Sequence, residues 1–115
     1  MNRHCFALDL RDDAQAIAEY ENWHRANRIW PEIVASIRKA GIVDMQIYRT
    51  GNRLMMVMET TDDFDAGAKA IADAADERVQ AWEALMATFQ QPLPWAPAGQ
   101  KWVPMRRIFS LTARQ

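Results

Sequence analysis

The chain has 115 residues, of which half are hydrophobic and a quarter are charged, and its formal net charge is −1. This length predicts one domain over residues 1–115 with a core of its own, and the composition is typical of a folded protein. The near-neutral charge and scattered basic residues argue against a nucleic-acid partner, and the single cysteine, Cys5, excludes an internal disulfide and a cysteine-based metal cluster.

No apolar stretch reaches the length that a membrane span requires. Charged residues such as Arg3, Asp9 and Arg11 interrupt the N-terminal segment, which therefore does not resemble a signal peptide. We expect a cytoplasmic protein with no membrane partner.

The first residues predict a strand followed by a helix. Residues 4–10 are short, apolar and bounded by charge, as in a strand. Asp12 is the predicted N-cap of a helix on which Ile17, Tyr20 and His24 share one face, because they recur at three- and four-residue steps.

A second helix and a hairpin follow. Pro31 can open the helix in its first turn, and Gly41 is the expected residue just beyond its end. Residues 43–49 alternate apolar and polar as in a half-buried strand, Gly51-Asn52 predicts a tight turn, and residues 53–60 form the return strand. Apolar residues on both faces of that return strand predict a central strand covered on each side.

The second half predicts helices, an ordered loop and a last strand. A helical region begins at Asp62-Asp63 with an apolar side that includes Ile71, and Asp76 is the expected cap of a further helix with an apolar stripe. That stripe consists of Val79, Trp82, Met86 and Phe89. Residues 91–100 are rich in proline and predict an irregular but ordered loop. A strand over residues 102–111 and a short tail complete the chain.

The resulting order is strand, helix, strand, strand, helix, strand. This βαββαβ order is typical of the α+β, ferredoxin-like fold, in which helices cover one face of an antiparallel sheet. Because the other face needs cover as well, we expect a symmetric homodimer.

The stretch around His24 carries the most chemistry. On a helix, Tyr20 and His24 project together, and an imidazole beside a phenol can exchange protons. Trp23 and Trp30 add flat apolar surface that suits a ligand. Taken alone, however, a histidine on a helix is more often structural than catalytic.

Several stretches resemble the L-rhamnose mutarotase family, and in particular a branch that is similar to L-fucose mutarotase. The stretches that resemble the family are Glu19-Tyr20, His24, Ile29-Trp30-Pro31-Glu32, Gly41, Ile47-Tyr48 and Trp82. Those that resemble the fucose branch are Met45 to Leu54, Leu93-Pro94-Trp95 and Lys101-Trp102-Val103.

The resemblance implies a dimeric α/β-barrel isomerase that opens and recloses a sugar ring without a metal or cofactor. It implies that His24 is the general acid and base, that Tyr20 contacts the sugar, and that Trp82 is the first of a tryptophan pair. Two positions depart from the rhamnose pattern, because Glu83 stands for the second tryptophan and Met45 for a tyrosine that contacts sugar. These departures favour L-fucose as the monosaccharide substrate, with L-rhamnose second.

Residue chemistry suggests further sugar contacts. Indole rings pack against the C–H faces of sugars, and Trp30, Trp82 and Trp95 could supply them. Hydroxyl groups need convergent polar partners, which Tyr20, Tyr48 and Glu83 could supply.

Two other functions fit the same architecture. One is a cofactor-free monooxygenase of the dimeric α/β-barrel type, and the other is a non-catalytic sugar-binding dimer. The oxygenase would consume oxygen with a polycyclic phenol, whereas the binder would hold sugar without speeding anomer exchange.

Overall fold

The computed structural model describes residues 1–112, and in this range the chain forms five strands and four helices. The strands are β1 (Asn2–Leu10), β2 (Ile42–Thr50), β3 (Arg53–Thr60), β4 (Gln90–Gln91) and β5 (Val103–Pro104). The helices are α1 (Ala14–Trp23), α2 (Pro31–Lys39), α3 (Ala66–Ala75) and α4 (Glu77–Ala87). None of these helices combines the length and the apolar composition that a membrane crossing requires.

The strands form one antiparallel sheet in the order β2-β3-β1-β4, and β5 pairs with β1 as well. Strand β3 pairs along nearly the whole length of β1, so the two short strands β4 and β5 occupy the other edge of β1. This order confirms the predicted ferredoxin-like arrangement, in which the two long central strands are β1 and β3.

The core lies between the helices and one face of the sheet. Leu8, Leu10 and Leu54 are almost completely buried on this face, and Val79 and Met86 of α4 are buried against it. Because side chains alternate along a strand, the residues between these leucines point to the opposite face. The sheet therefore has one face packed by helices and one face that none of the four helices in residues 1–112 covers.

The helix boundaries follow local sequence rules, with two corrections. Asp13, and not the predicted Asp12, caps α1, since its side chain accepts a hydrogen bond from the Gln15 backbone at 3.2 Å. Asp65, and not Asp62-Asp63, caps α3 in the same way. Asp76 caps α4 as expected.

The turn predictions are confirmed. Pro31 is the first residue of α2, and Gly41 follows its C-cap with a φ of +97°, a conformation that glycine adopts without strain. Gly51, with a φ of +56°, lies at the hairpin turn between β2 and β3. Strand β3 is central as predicted, but helices cover only one of its faces, and Met55 on the other face is 36% exposed.

Two expectations for the second half are wrong. The predicted strand over residues 102–111 shrinks to Val103–Pro104, because the chain leaves β1 after the Met105 backbone donates to the Cys5 carbonyl at 2.8 Å. Ile108, Phe109 and Leu111 are exposed, since they find no packing surface within residues 1–112. Ile71 of α3 is exposed for the same reason. Most of the predicted tail lies outside the described residues.

Candidate active site

A cavity of about 410 Å³ lies between the helices and the face of the sheet that they cover. Phe6, Met56 and Met58 line it from the sheet, while Tyr20 and His24 line it from α1 and its end. An adjoining cavity of about 700 Å³ shares Tyr20 and His24 and extends along the edge strand β2. Sites for small molecules have volumes in this range.

His24 is the C-cap of α1, where the helix ends and the side chain turns toward the cavity. Its Nδ1 lies 2.7 Å from the Tyr20 backbone oxygen. A carbonyl oxygen can only accept a hydrogen bond, so Nδ1 carries the ring proton. Nε2, which has no hydrogen-bond partner within residues 1–112, is therefore the basic nitrogen of the neutral ring.

Burial sets the protonation state of His24. It lowers the pKa of the imidazole below its usual value of 6.5, and the hydrogen bond to the Tyr20 carbonyl opposes that shift only in part. The ring is consequently neutral at pH 7. Its Nε2 is available to accept a proton from a bound molecule.

Tyr20 lies one helical turn before His24, and the centroids of the two rings are 4.4 Å apart. The side chain is only 4% exposed. Burial raises the pKa of Tyr20 to about 12, although a hydrogen bond from the Gln90 side chain acts in the opposite direction. The hydroxyl therefore keeps its proton and can donate a hydrogen bond at physiological pH.

Trp82 of α4 forms the aromatic wall next to His24. Its ring lies 5.7 Å from the imidazole and 6.5 Å from Trp23, in both cases edge to face, and the side chain is 8% exposed. Trp30 lies 5.2 Å from Trp82, and the Arg78 guanidinium covers its ring at 3.8 Å. Trp30 lines neither cavity but packs against Trp82, which does line the smaller one.

The structure brings together four of the residues that the sequence suggested: Tyr20, His24, Trp82 and Glu83 all line the smaller cavity. Tyr48 lines only the larger one, on the sheet face away from the helices, where its hydroxyl donates to Gln46 at 2.7 Å. Trp95 is 62% exposed and lines neither cavity. Sugar contact by Tyr48, Trp30 and Trp95 stays a prediction.

Further polar residues line the smaller cavity that residue spacing did not reveal. Gln90, Lys69 and Lys101 contribute to its wall, as does Trp102. Gln90 is far from His24 in sequence, and only the pairing of β4 with β1 brings it there. The one sequence signal for Lys101-Trp102 was their place in the resemblance. Within residues 1–112, no group of three or more His, Cys, Asp or Glu side chains could hold a metal ion.

Comparison with known sequences identifies close relatives. The family model for L-rhamnose mutarotase matches residues 3–111. The chain is 53% identical over 112 residues to the L-fucose mutarotase of Xanthomonas campestris pv. campestris, and the alignment covers 97% of this chain and 90% of that protein.

Comparison with solved structures agrees on the fold. The L-rhamnose mutarotase of Formosa agariphila superimposes with a TM-score of 0.68 at 23% identity, covering 96% of this chain and 99% of that one. The tetracenomycin F2 cyclase of Streptomyces glaucescens gives a TM-score of 0.62 at 15% identity, with coverage of 99% and 100%. At these identities the likeness shows a shared dimeric α/β-barrel fold.

Proposed function

Because the chain belongs to the L-rhamnose mutarotase family, whose enzymes are isomerases, we propose that it interconverts the α and β anomers of a 6-deoxyhexose. L-fucose is the proposed substrate and L-rhamnose the second choice. The observation that carries the proposal is the unpartnered Nε2 of a neutral His24 in a cavity wall that also contains Tyr20 and Trp82.

The proposed reaction uses His24 twice. Nε2 accepts the proton of the anomeric hydroxyl while the electrons of that O–H bond form the C1=O1 double bond and the bond from C1 to the ring oxygen breaks. The imidazolium then gives the same proton to the former ring oxygen, which completes the open-chain hydroxyaldehyde. Rotation about the C1–C2 bond and reversal of these steps yield the other anomer. One imidazole can serve both oxygens because both are bonded to C1 in the closed ring and therefore start next to each other.

The cavity supplies both kinds of contact that a sugar needs. Trp82 offers a flat apolar surface for C–H groups, while Tyr20 and Glu83 offer hydrogen-bonding groups for hydroxyls. High identity to an L-fucose mutarotase supports L-fucose over L-rhamnose. The presence of Glu83 and Met45 in the cavity wall supports the same choice, since the resemblance to the rhamnose pattern breaks at these two positions.

A cytoplasmic homodimer completes the proposal. The sheet face without helices carries Met55 and Val57, and within residues 1–112 the side chains of Met105, Ile108, Phe109 and Leu111 are exposed. A second copy could bury both surfaces. Sedimentation at micromolar concentration should give the dimer mass, and a monomer mass would contradict the assembly. Cell fractionation tests the location.

Exchange spectroscopy by NMR tests the activity directly. Cross-peaks between the α and β anomeric protons of L-fucose should grow faster with the protein than in buffer, and those of L-rhamnose should respond less. Sugar binding without faster exchange would instead indicate a sugar-binding dimer. Oxygen uptake with a polycyclic phenol, together with no effect on sugars, would indicate the monooxygenase.

A further inference from the structure

Helix α3 turns its charged side toward the rest of the protein and its largest apolar side chain toward solvent. Of its ten residues, only Lys69 and Asp73 are half-buried, while Ile71 is 75% exposed. A surface helix normally does the reverse, because burial of apolar side chains holds it in place. The inward position of the two charged residues therefore has a cause other than hydrophobic packing.

Lys69 and Asp73 form an ion pair one helical turn apart. Their side chains are 24% and 17% exposed. The last turn of α3 is fixed to α4, since the Gln80 side-chain amide donates to the Asp73 backbone oxygen at 2.9 Å. The ion pair is thus held next to the helix that carries Trp82.

Stability does not explain why this ion pair faces inward. Charges lose hydration when they are partly buried, and apolar residues of similar size are often at least as stable in the same place. An inward isoleucine would serve the fold better than an inward lysine. The position of Lys69 is explained by what its ammonium group can contact.

Lys69 lines the smaller cavity together with His24 and Trp82, whereas Asp73 lines neither cavity. An ammonium group has three N–H donors and no acceptor. Asp73 takes one donor and neutralises the charge, so the remaining donors suit an uncharged hydroxyl oxygen better than an anion. Glu83 in the same wall can accept a hydrogen bond. The cavity therefore offers a sugar hydroxyl both a donor and an acceptor.

We propose that Lys69, held by Asp73, is a substrate-binding residue whose Nζ donates a hydrogen bond to a hydroxyl at C2, C3 or C4 of the 6-deoxyhexose. This inference rests on the proposed mutarotase function, in which His24 takes the anomeric hydroxyl. The hydroxyl that Lys69 contacts keeps its hydrogen when the ring opens. Lys69 therefore contributes to affinity and to the choice of sugar, and not to proton transfer.

Removal of the ammonium group tests the contact. Lys69→Met keeps a long apolar side chain. We expect it to raise KM for L-fucose about tenfold, the usual worth of a hydrogen bond from a charged group, and to change kcat by less than about twofold. Lys39→Met is the matched control and should leave both constants unchanged, because Lys39 is exposed at the end of α2 and lines neither cavity.

Removal of both charges separates binding from folding. In the double variant Lys69→Met/Asp73→Leu no charge is left without its partner, so the melting temperature should equal or exceed that of the wild type. KM for L-fucose should stay about tenfold higher than in the wild type. A wild-type KM in the double variant would overturn the inference, since Lys69 would then matter only as the partner of Asp73.

Deoxygenated sugars identify the hydroxyl that Lys69 contacts. With the wild-type protein, one of the 2-, 3- and 4-deoxy analogues of L-fucose should show a KM raised about as much as Lys69→Met raises it for L-fucose. For that analogue, Lys69→Met should cause no further rise, because the contact is already absent. If the substitution raises KM equally for L-fucose and for all three analogues, Lys69 contacts none of these hydroxyls and the inference is wrong.

The outcomes separate this inference from the proposed function. A wild-type protein that does not speed anomer exchange refutes the mutarotase function and the sugar contact with it. An active wild type in which Lys69→Met leaves KM unchanged refutes the sugar contact alone. So does a lowered kcat at unchanged KM, since that pattern reports an interaction made only in the transition state.

Discussion

Trp82 and Trp95 each lie beside a titratable or charged side chain, but on opposite faces of the sheet. Trp82 packs against His24 at 5.7 Å and lines a cavity. Trp95 lies under the Arg53 guanidinium at 5.0 Å, and Arg53 forms two hydrogen bonds with Asp9 at 2.8 and 3.1 Å. Both carboxylate oxygens of Asp9 are therefore partnered, whereas His24 Nε2 has no hydrogen-bond partner among the described residues 1–112.

The contrast shows how a structural cluster differs from a reactive one when both contain an indole ring. The Asp9 carboxylate is almost fully buried, and a buried charge requires a partner, so its pairing with Arg53 is explained by folding alone. Folding does not explain a cavity wall that contains an unpartnered imidazole nitrogen and an unpartnered amide oxygen. Those atoms are available to a ligand.

Removing the imidazole of His24 should have the largest effect on activity. We expect His24→Ala to lower kcat for anomer exchange by about 10²- to 10⁴-fold, the usual contribution of general acid and base catalysis, and to keep the fold. Exchange NMR and circular dichroism measure the two effects. His4→Ala is the matched control, because His4 bonds to Thr60 and lines neither cavity. Wild-type turnover in His24→Ala would end the assignment.

Truncation of Trp82 should affect both binding and stability. Trp82→Ala should cost about 3 kcal/mol of the free energy of unfolding, as for other buried aromatic side chains, and should weaken L-fucose binding about tenfold. Chemical denaturation and a sugar titration measure these quantities. In both, Trp82→Phe should give a value between those of the wild type and Trp82→Ala. Unchanged affinity and unchanged unfolding together would contradict the position of Trp82 in the wall.

Arg53→Ala, at the cluster of Asp9, Arg53 and Trp95, should lower stability and leave activity nearly unchanged. It leaves the buried Asp9 carboxylate without its partner, so the melting temperature should fall, while kcat for anomer exchange should stay within about twofold because the two clusters are separate. Adding Asp9→Asn should recover part of the lost stability. A large loss of activity at unchanged melting temperature would extend the active site to this face.

The smallest expected effect is a pH dependence. The pKa of His24 in the folded chain is lower than the usual 6.5 of the unfolded chain. At pH values between these two pKa values, the unfolded chain therefore binds more protons than the folded chain. Stability should therefore be highest above pH 6.5 and should fall as the pH drops from 6.5 through the pKa of the folded state. The acid limb of kcat/KM should likewise lie below pH 6.5. Proton NMR can follow both histidines, and a His24 pKa at or above 6.5 would contradict the burial argument.

Local sequence rules predicted the parts of the fold that depend on neighbours in the chain. The turn at Gly51, the helix start at Pro31 and the helix end at Gly41 each follow from the conformational preference of one residue. The pairing of Tyr20 with His24 also needs only the four-residue spacing of a helix. These features therefore agree in sequence and structure.

Features that depend on distant contacts could not be predicted in this way. Gln90 reaches the cavity only through the register of β4 against β1, which no local pattern encodes. Trp95 is in an irregular loop, so its position depends on contacts such as that with Arg53. The expected strand over residues 102–111 has suitable apolar residues, but β1 offers it an edge only as far as Met105.

Nitrogen-15 NMR of the His24 ring tests the central claim most directly. Without sugar, the spectrum should show a neutral ring with its proton on Nδ1 and an unprotonated Nε2. With saturating L-fucose, the Nε2 signal should shift as it accepts a hydrogen bond from the anomeric hydroxyl, while Nδ1 stays protonated. An Nε2 signal that does not move while the sugar binds and its anomers exchange would contradict the account.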